Sequence, residues 1–209
     1  MPIDPRQTPV YHITDIANLP DILTSGGLYS DAALQVVGAN PSQIGYSQIK
    51  QRRLTEYRIP CCDNRFVGEF VPFYLCPRSP MLYTVNNGNT GRPRGCQTDI
   101  LHLVSDVYRA GSLGRQWAVS DGNAGSAYTT FSNAPQALDT VNWSIVNSNQ
   151  WGGERMHAKA TEFLVADFVP IAIFTSIGCH NAQTANTTRG ILNRYNIALP
   201  VNVVPHWYY

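Results

Sequence analysis

The apolar residues of this chain come in short bursts, and this limits what it can fold into more than any other feature. Residues 11–14, 70–75, 100–104, 161–169, 171–177 and 201–204 are each of strand length. The longest apolar stretch, 168–174, is interrupted by Pro170, and a membrane-spanning helix needs roughly 20 such residues. The pattern predicts a sheet-built globular domain, and 209 residues at 44% hydrophobic content supply one core. Asn18 reads as the cap of a helix through Leu19, Ile22 and Leu23 that Gly26 and Gly27 stop. Pro41 reads as the opening of a second helix, carrying Ile44, Ile49 and the basic cluster 50–53. Residues 134–146 fit an amphipathic helix loosely, and 184–195 a polar one; 60–68 and 86–95 read as loops. Pro72 demotes the 70–75 strand to an edge or a bulge. Without internal repeats, the expectation is mixed α and β structure in one domain.

Several function classes drop away. The start, Met1-Pro2-Ile3-Asp4-Pro5-Arg6, has neither a basic, apolar secretory signal nor an Arg/Ser-rich transit pattern, so a cytoplasmic location is expected. Five cysteines, Cys61, Cys62, Cys76, Cys96 and Cys179, have no framework spacing and read as reduced thiols. No C-x-x-C pair or H-E-x-x-H helix supports a metal, and no phosphate loop, dinucleotide fingerprint or nucleophile elbow occurs.

The net charge of +1 hides a bias in residue type: of fifteen basic residues only Lys50 and Lys159 are lysine. A planar guanidinium binds phosphate bidentately and stacks on bases, which suits a nucleotide or nucleic-acid site. Lys50, Arg52, Arg53, Arg58, Arg65, Arg78, Arg92 and Arg94 fall in one stretch whose acids are Glu56, Asp63 and Glu69. That stretch reads either as a solvated basic face or as a track for a phosphate backbone.

Five segments, in order, carry a family resemblance: Tyr11-His12-Ile13-Thr14, Asn18-Leu19, Ile49-Lys50-Gln51-Arg52-Arg53, the block 70–82 (F-V-P-F-Y-L-C-P-R-S-P-M-L), and Thr161-Glu162-Phe163-Leu164-Val165. Together with the closing Trp207-Tyr208-Tyr209, the sequence resembles the DarT family of DNA ADP-ribosyltransferase toxins over nearly its whole length. The block 70–82 is the specific part. The resemblance implies an α+β fold spanning 1–209 as a single domain: a split, strongly twisted β-sheet with the NAD cleft between its halves. It further implies transfer of ADP-ribose from NAD to a nucleobase, commonly thymine in single-stranded DNA, with no metal and no membrane. Its implied partner is a macrodomain antitoxin that removes the mark. Two other readings stay open: an NAD-dependent transferase acting on guanine, RNA or protein, and a non-catalytic nucleic-acid-binding module.

Cleaving the nicotinamide–ribose bond builds positive charge on the sugar, so a carboxylate is needed beside it, and the acceptor needs a base. Among Glu56, Glu69, Glu154 and Glu162, only Glu162 heads a core strand, and it stands in the motif that the family uses for its catalytic carboxylate. The resemblance implies Glu162 and Arg53 as catalytic, with Arg52 as the neighbour that could take Arg53's place. It implies His12, Thr14, Asn18, Arg53 and Tyr74 beside NAD, Tyr74 being chosen over Phe73, which strand alternation sends to the opposite face. For DNA it implies Arg78, Met81, Arg92 and Arg155, with Arg94 a further loop arginine. Ala160, two residues before Glu162, means that the chain lacks the Glu-x-Glu pair of arginine-modifying relatives.

Overall fold

The computed structural model describes residues 3–209; Met1 and Pro2, which begin the N-terminal stretch read above, lie outside the described residues. Twelve strands form: β1 (Pro9–Asp15), β2 (Gly27–Tyr29), β3 (Arg58–Ile59), β4 (Arg65–Phe66), β5 (Phe70–Tyr74), β6 (Ile100–Asp106), β7 (Trp117–Asn123), β8 (Phe131–Ser132), β9 (Thr161–Ala166), β10 (Phe168–Pro170), β11 (Ser176–Cys179) and β12 (Val201–Val203). Eight helices accompany them: α1 (Leu19–Thr24), α2 (Asp31–Val36), α3 (Ser47–Thr55), α4 (Pro80–Asn86), α5 (Val107–Gly111), α6 (Trp143–Val146), α7 (Arg155–Lys159) and α8 (Ala182–Arg194).

Eight strands form one sheet in the order β12-β11-β6-β1-β5-β9-β7-β8, antiparallel throughout except for the β11–β12 pair. β1 is laddered to β6 along its full length, from Pro9↔Asp106 to Asp15↔Ile100, and β5 to β9 from Phe70↔Ala166 to Tyr74↔Glu162. Between those two ladders, β1 and β5 share a single pair, Tyr11↔Tyr74. The sheet is therefore two halves hinged at one point, the split core that was expected. The main core packs Val71, Phe73, Phe163, Val165, Leu101 and Leu103 from both halves against α1 and α8.

The split explains Pro72. β5 is interior, not the edge strand that the proline suggested, yet β1 diverges from it at this residue. The N and C=O of a strand residue point the same way, so a proline beside an open ladder forfeits no hydrogen bond. His12 Nδ1 donates to the Pro72 carbonyl at 2.9 Å in place of the missing strand.

Other readings are corrected. Asn18 has helical φ and ψ and makes no side-chain cap; its amide is bound to Ser42 instead, and Asp15 caps the 3-10 turn before α1. Pro41 opens no helix: α3 starts at Ser47. The expected loop 60–68 contains the turn and second strand of a hairpin, β4 pairing back with β3 just before it. Residues 134–146 form only a 3-10 turn and the short α6, because Val141, Trp143 and Val146 are placed by tertiary contacts rather than by a helical stripe. The strand expected over 161–169 breaks at Asp167, whose φ of 65° lies in the left-handed region. β7 was not foreseen, since its Ser-Asp-Gly-Asn end has low strand propensity and is held by pairing with β9. Ala160 ends α7 and is not a strand residue.

The basic stretch is not an open track. Lys50 pairs with Asp31, Arg52 with Glu56, Arg53 with Glu162, Arg65 with Glu69 and Asp167, and Arg92 with Asp15. Among the described residues, Arg58, Arg78 and Arg94 are the members of the stretch without a carboxylate partner.

Candidate active site

Glu162 lies near the start of β9, 1% exposed, and register sets it beside Tyr74, the residue at the hinge of the two half-sheets. Burying a carboxylate requires donors. Arg53 Nη1 donates to Oε1 at 3.1 Å and Arg53 Nη2 to Oε2 at 2.9 Å, a bidentate fork. The Ala124 backbone N–H donates to Oε1 at 3.1 Å. That third donor is delivered by an irregularity: the β7–β9 register shifts between Val119 and Asn123, which brings the turn after β7 back over the carboxylate. Ser120 Oγ accepts from the Glu162 N–H at 2.8 Å and donates to the Gly122 carbonyl at 2.6 Å, tying the bulge to the strand. The His157 ring packs over Gly122, where a Cβ would stand 2.1 Å from its Nε2. Sequence reading missed both Ser120 and Ala124, because nothing in 117–124 marks a bulge.

Arg53 comes from α3, a helix with no buried residue. Its side chain is only 13% exposed. Burial works against the Arg53 cation, but the Glu162 carboxylate more than offsets it through charge and hydrogen bonding, and the pKa stays above the ordinary guanidinium value. α3 approaches the sheet over Gly68, where a Cβ would meet Leu54 at 2.7 Å. Arg52, the neighbouring candidate, faces outward and pairs with Glu56 at 2.7 Å, so the structure separates the two arginines.

Tyr74 is half-buried while Phe73 is fully buried in the core. Burial first, and then the Glu162 charge, raise the Tyr74 phenol above its ordinary range, which keeps it neutral. His12 stands at the split, its ring edge-on to Phe73 with centroids 5.9 Å apart. Burial lowers its pKa, with the Pro72 carbonyl and Asp31 opposing. A carbonyl only accepts, so Nδ1 carries the proton and Nε2 presents a lone pair. Asp31, on α2, acts electrostatically on both His12 and Arg53 and forms a 2.9 Å ion pair with Lys50, so these four groups share one neighbourhood.

Thr14 and Asn18 are buried. Asn18 Nδ2 donates to Thr14 Oγ1 at 3.1 Å and to the Ser42 carbonyl at 2.9 Å, while its Oδ1 accepts from the Ser42 N–H at 2.7 Å. Arg92 pairs with Asp15 and donates to Ser42 Oγ and the Gln43 carbonyl, each at 3.3 Å. Arg92 thus fastens the same segment around 42–43 that Asn18 does. Arg78 lies over the Tyr209 ring, 4.6 Å from its centroid, and donates to Asn149 at 3.3 Å. Met81 packs against the cluster formed by Ile13, Leu82 and Tyr208. Arg155 is exposed at the start of α7 and donates to the Gln150 carbonyl at 3.0 Å.

The chain that carries this buried carboxylate, guanidinium and neutral imidazole is similar to known proteins. Residues 11–209 match the sequence model of a family described as the ssDNA thymidine ADP-ribosyltransferase DarT. A DNA ADP-ribosyl transferase of Mycobacterium tuberculosis is 30% identical over 218 residues, covering 98% of this chain and 90% of that protein. DarT of Thermus sp. 2.9 in complex with ADP-ribosylated ssDNA superposes with a TM-score of 0.90 at 29% identity, covering 100% of both chains; its complex with NAD+ gives 0.85 at 28%. A DNA ADP-ribosyl transferase–DNA ADP-ribosyl glycohydrolase fusion protein of Thermosipho africanus is 25% identical over 92% of this chain and 48% of its own length. The family match runs from β1 to the last residue and takes in Glu162, Arg53 and His12, and the chain therefore belongs to the DarT family of single-stranded-DNA thymidine ADP-ribosyltransferases.

Proposed function

We propose that residues 1–209 act as one domain that transfers ADP-ribose from NAD+ to a thymine base in single-stranded DNA and releases nicotinamide. The observation that carries this reading is the bidentate Arg53–Glu162 pair, buried at the one point where the two half-sheets meet. In the reaction the nicotinamide–ribose C–N bond breaks and nicotinamide leaves neutral. A new bond forms from the ribose carbon to the thymine nitrogen. N1 of thymine in DNA already carries the sugar, so the nitrogen that attacks is the one ring N–H, and its proton is released.

Glu162 has two tasks on this reading: to hold a ribose hydroxyl beside the developing positive charge, and to take the thymine proton. Both need a free lone pair, and Arg53 occupies both oxygens. Arg53 turns toward the incoming phosphates or thymine carbonyls, exchanging one anionic or carbonyl partner for another and exposing Oε2. No buried side chain of α3 resists that movement. Ala124 keeps its N–H on Oε1 and so holds the carboxylate in position. His12 offers Nε2 as acceptor to an NAD ribose hydroxyl, and its low pKa keeps that lone pair available at neutral pH. Tyr74 supplies an aromatic surface for nicotinamide beside Glu162. Thr14 and Asn18 serve the dinucleotide by fixing the segment at Ser42. Arg78, Met81, Arg92 and Arg155 meet the DNA.

A base inside a duplex cannot reach a buried carboxylate, which favours an unpaired strand. The DarT relatives solved with NAD+ and with ADP-ribosylated ssDNA support both substrates. The Thermosipho fusion with a DNA ADP-ribosyl glycohydrolase supports a macrodomain antitoxin as partner and a toxin role for this chain. No helix of the described residues is long and apolar enough to cross a membrane; we place the enzyme in the cytoplasm, where NAD+ and DNA meet.

The test is incubation with NAD+ and single-stranded oligonucleotides that each lack one base, followed by nicotinamide release and oligonucleotide mass. An ADP-ribose adduct that disappears only when thymine is missing is the expected result. An adduct that follows guanine, or nicotinamide release without an adduct, overturns the acceptor.

A further inference from the structure

After Glu162, Lys159 is the most deeply buried charged side chain among the described residues, 2% exposed. It is the last residue of α7 and stands three positions before Glu162. Among the described residues no carboxylate lies within ion-pair distance of it. An ammonium is costly to bury without an anion, so its three N–H groups need acceptors. Two of those acceptors are backbone carbonyls: Nζ donates to Ser148 at 2.9 Å and to Val146. α6 ends at Val146, so that carbonyl has no helical donor and is free to accept. The Cys76 thiol stands beside the same ammonium; burial pushes its pKa up, and the charge and hydrogen bonding of Lys159 partly oppose this. Cys76 Sγ in turn lies 3.7 Å from the Arg78 carbonyl.

The segment that Lys159 holds is the one on which two arginines lean. Asn149 Oδ1 accepts from Arg78 Nη1 at 3.3 Å, and the Gln150 carbonyl accepts from Arg155 at 3.0 Å. Next in the chain, Trp151 is buried and meets Tyr83 and Tyr209 edge-on, with centroids 5.3 Å and 6.1 Å apart. Tyr209 is also the ring beneath the Arg78 guanidinium. Residues 147–150 bury no side chain of their own. The Lys159 ammonium therefore links their backbone to the start of β9, where hydrophobic packing does not.

We propose that Lys159 is a positioning residue for the acceptor side of the site: its ammonium fixes the segment 146–150, and through Asn149 and the Gln150 carbonyl it orients Arg78 and Arg155. The inference rests on the reading that these two arginines meet the DNA. It gives Lys159 no part in holding NAD+ or in the chemical step, so its effect falls on the KM for the strand and not on kcat.

The experiment uses Lys159→Met, which keeps the apolar stem and removes the donors, beside Arg78→Ala and the double variant. KM and kcat are measured with a thymine-containing oligonucleotide, and KM with NAD+. The oligonucleotide KM of Lys159→Met rises about tenfold, the effect of a lost charge-assisted contact, while kcat and the KM for NAD+ stay unchanged. In the double variant the two effects combine to less than their product, since one acts through the other. An unchanged oligonucleotide KM, a fall in kcat alone, or effects that simply multiply would each overturn the proposal. Amide hydrogen exchange quickens at 147–151 and not in β9; loss of protection throughout β9 would make Lys159 a structural residue instead. Should Lys159→Met fail to fold, Asn149→Ala at its exposed position raises the oligonucleotide KM several-fold, and no change there sinks the idea. If the wild type modifies no oligonucleotide, the transfer reading fails separately; fluorescence anisotropy of a labelled single strand then decides the role of Lys159, with weaker binding in Lys159→Met expected and equal affinity overturning it.

Discussion

Each half of the sheet buries a titratable group, and the two are satisfied in opposite ways. His102, on β6, is 0% exposed: its Nε2 donates to the Pro77 carbonyl at 2.9 Å and its Nδ1 lies 3.1 Å from the Tyr208 hydroxyl. Glu162, on β9, is 1% exposed and is held by Arg53 and the Ala124 N–H. The imidazole is buried neutral, and its partners are a backbone carbonyl and a side chain locked in the core, so it pins the C-terminal segment to the sheet. The carboxylate is buried with a cation whose helix contributes nothing to the core. The first arrangement suits a permanent structural joint. The second suits a charge that is kept out of water until another partner arrives, because its cation is carried by a helix with no buried residue. Equal burial therefore does not mean equal purpose; what distinguishes the two groups is how firmly the partner is held.

The sharpest way to break this comparison is Glu162→Gln. It removes the base while keeping the shape, and the expected outcome is a loss of about 10³-fold in adduct formation. The accompanying loss of stability is about 2 kcal/mol, below the 3–5 kcal/mol typical of breaking a buried pair, because Arg53 can turn toward water. Denaturant unfolding beside mass-detected turnover separates the two numbers. A drop in stability as large as the drop in activity would make Glu162 a structural group like His102.

Acid probes the other half. Burial pushes the His102 pKa down to about 4, the Pro77 carbonyl partly opposing. Its folded pKa lies below the unfolded value near 6.5, so as pH falls the unfolded chain takes up the proton first. The histidine's contribution to stability is thus whole above pH 6.5 and is lost as pH falls from there toward 4, about 3 kcal/mol in all. His12 shifts in the same direction and adds to the effect. Urea midpoints between pH 7 and pH 4.5 measure it, and His102→Gln flattens the curve. A slope that persists undiminished in that variant would place the acid-sensitive joint elsewhere.

The smallest expected effect comes from Ser120→Ala, which deletes the acceptor of the Glu162 N–H and frees the bulge. We expect a loss of about 1 kcal/mol of stability together with a several-fold fall in kcat at constant KM for NAD+, recovered in Ser120→Thr. Loss of stability alone would leave the bulge as mere architecture.

Much of the fold can be read locally. The strands at 11–14, 70–75, 100–104 and 201–204 announce themselves by composition, and the helix at 184–195 by its polar, uninterrupted run. Glu162 stands out as the one glutamate heading an apolar strand. Elements without a local signal were missed or misplaced: β7 ends in Ser-Asp-Gly-Asn, α3 does without Pro41, and Asn18 spends its amide on Ser42 rather than on a helix end. In each case a partner distant in sequence outweighs the propensity of the residue itself.

The sequence by itself determined mixed α and β structure and the short set of chemically capable side chains, because apolar periodicity and residue type are local properties that need no neighbour to be read, while the family came from the resemblance of its motifs. Only the tertiary structure decided which arginine meets Glu162, that Ala124 supplies its third donor, and that Pro72 sits where the sheet opens. Arg52 and Arg53 are adjacent and chemically identical; one is a surface residue and the other closes the site, because helical geometry turns successive side chains about 100° apart and the position of α3 over Gly68 settles which of the two faces inward.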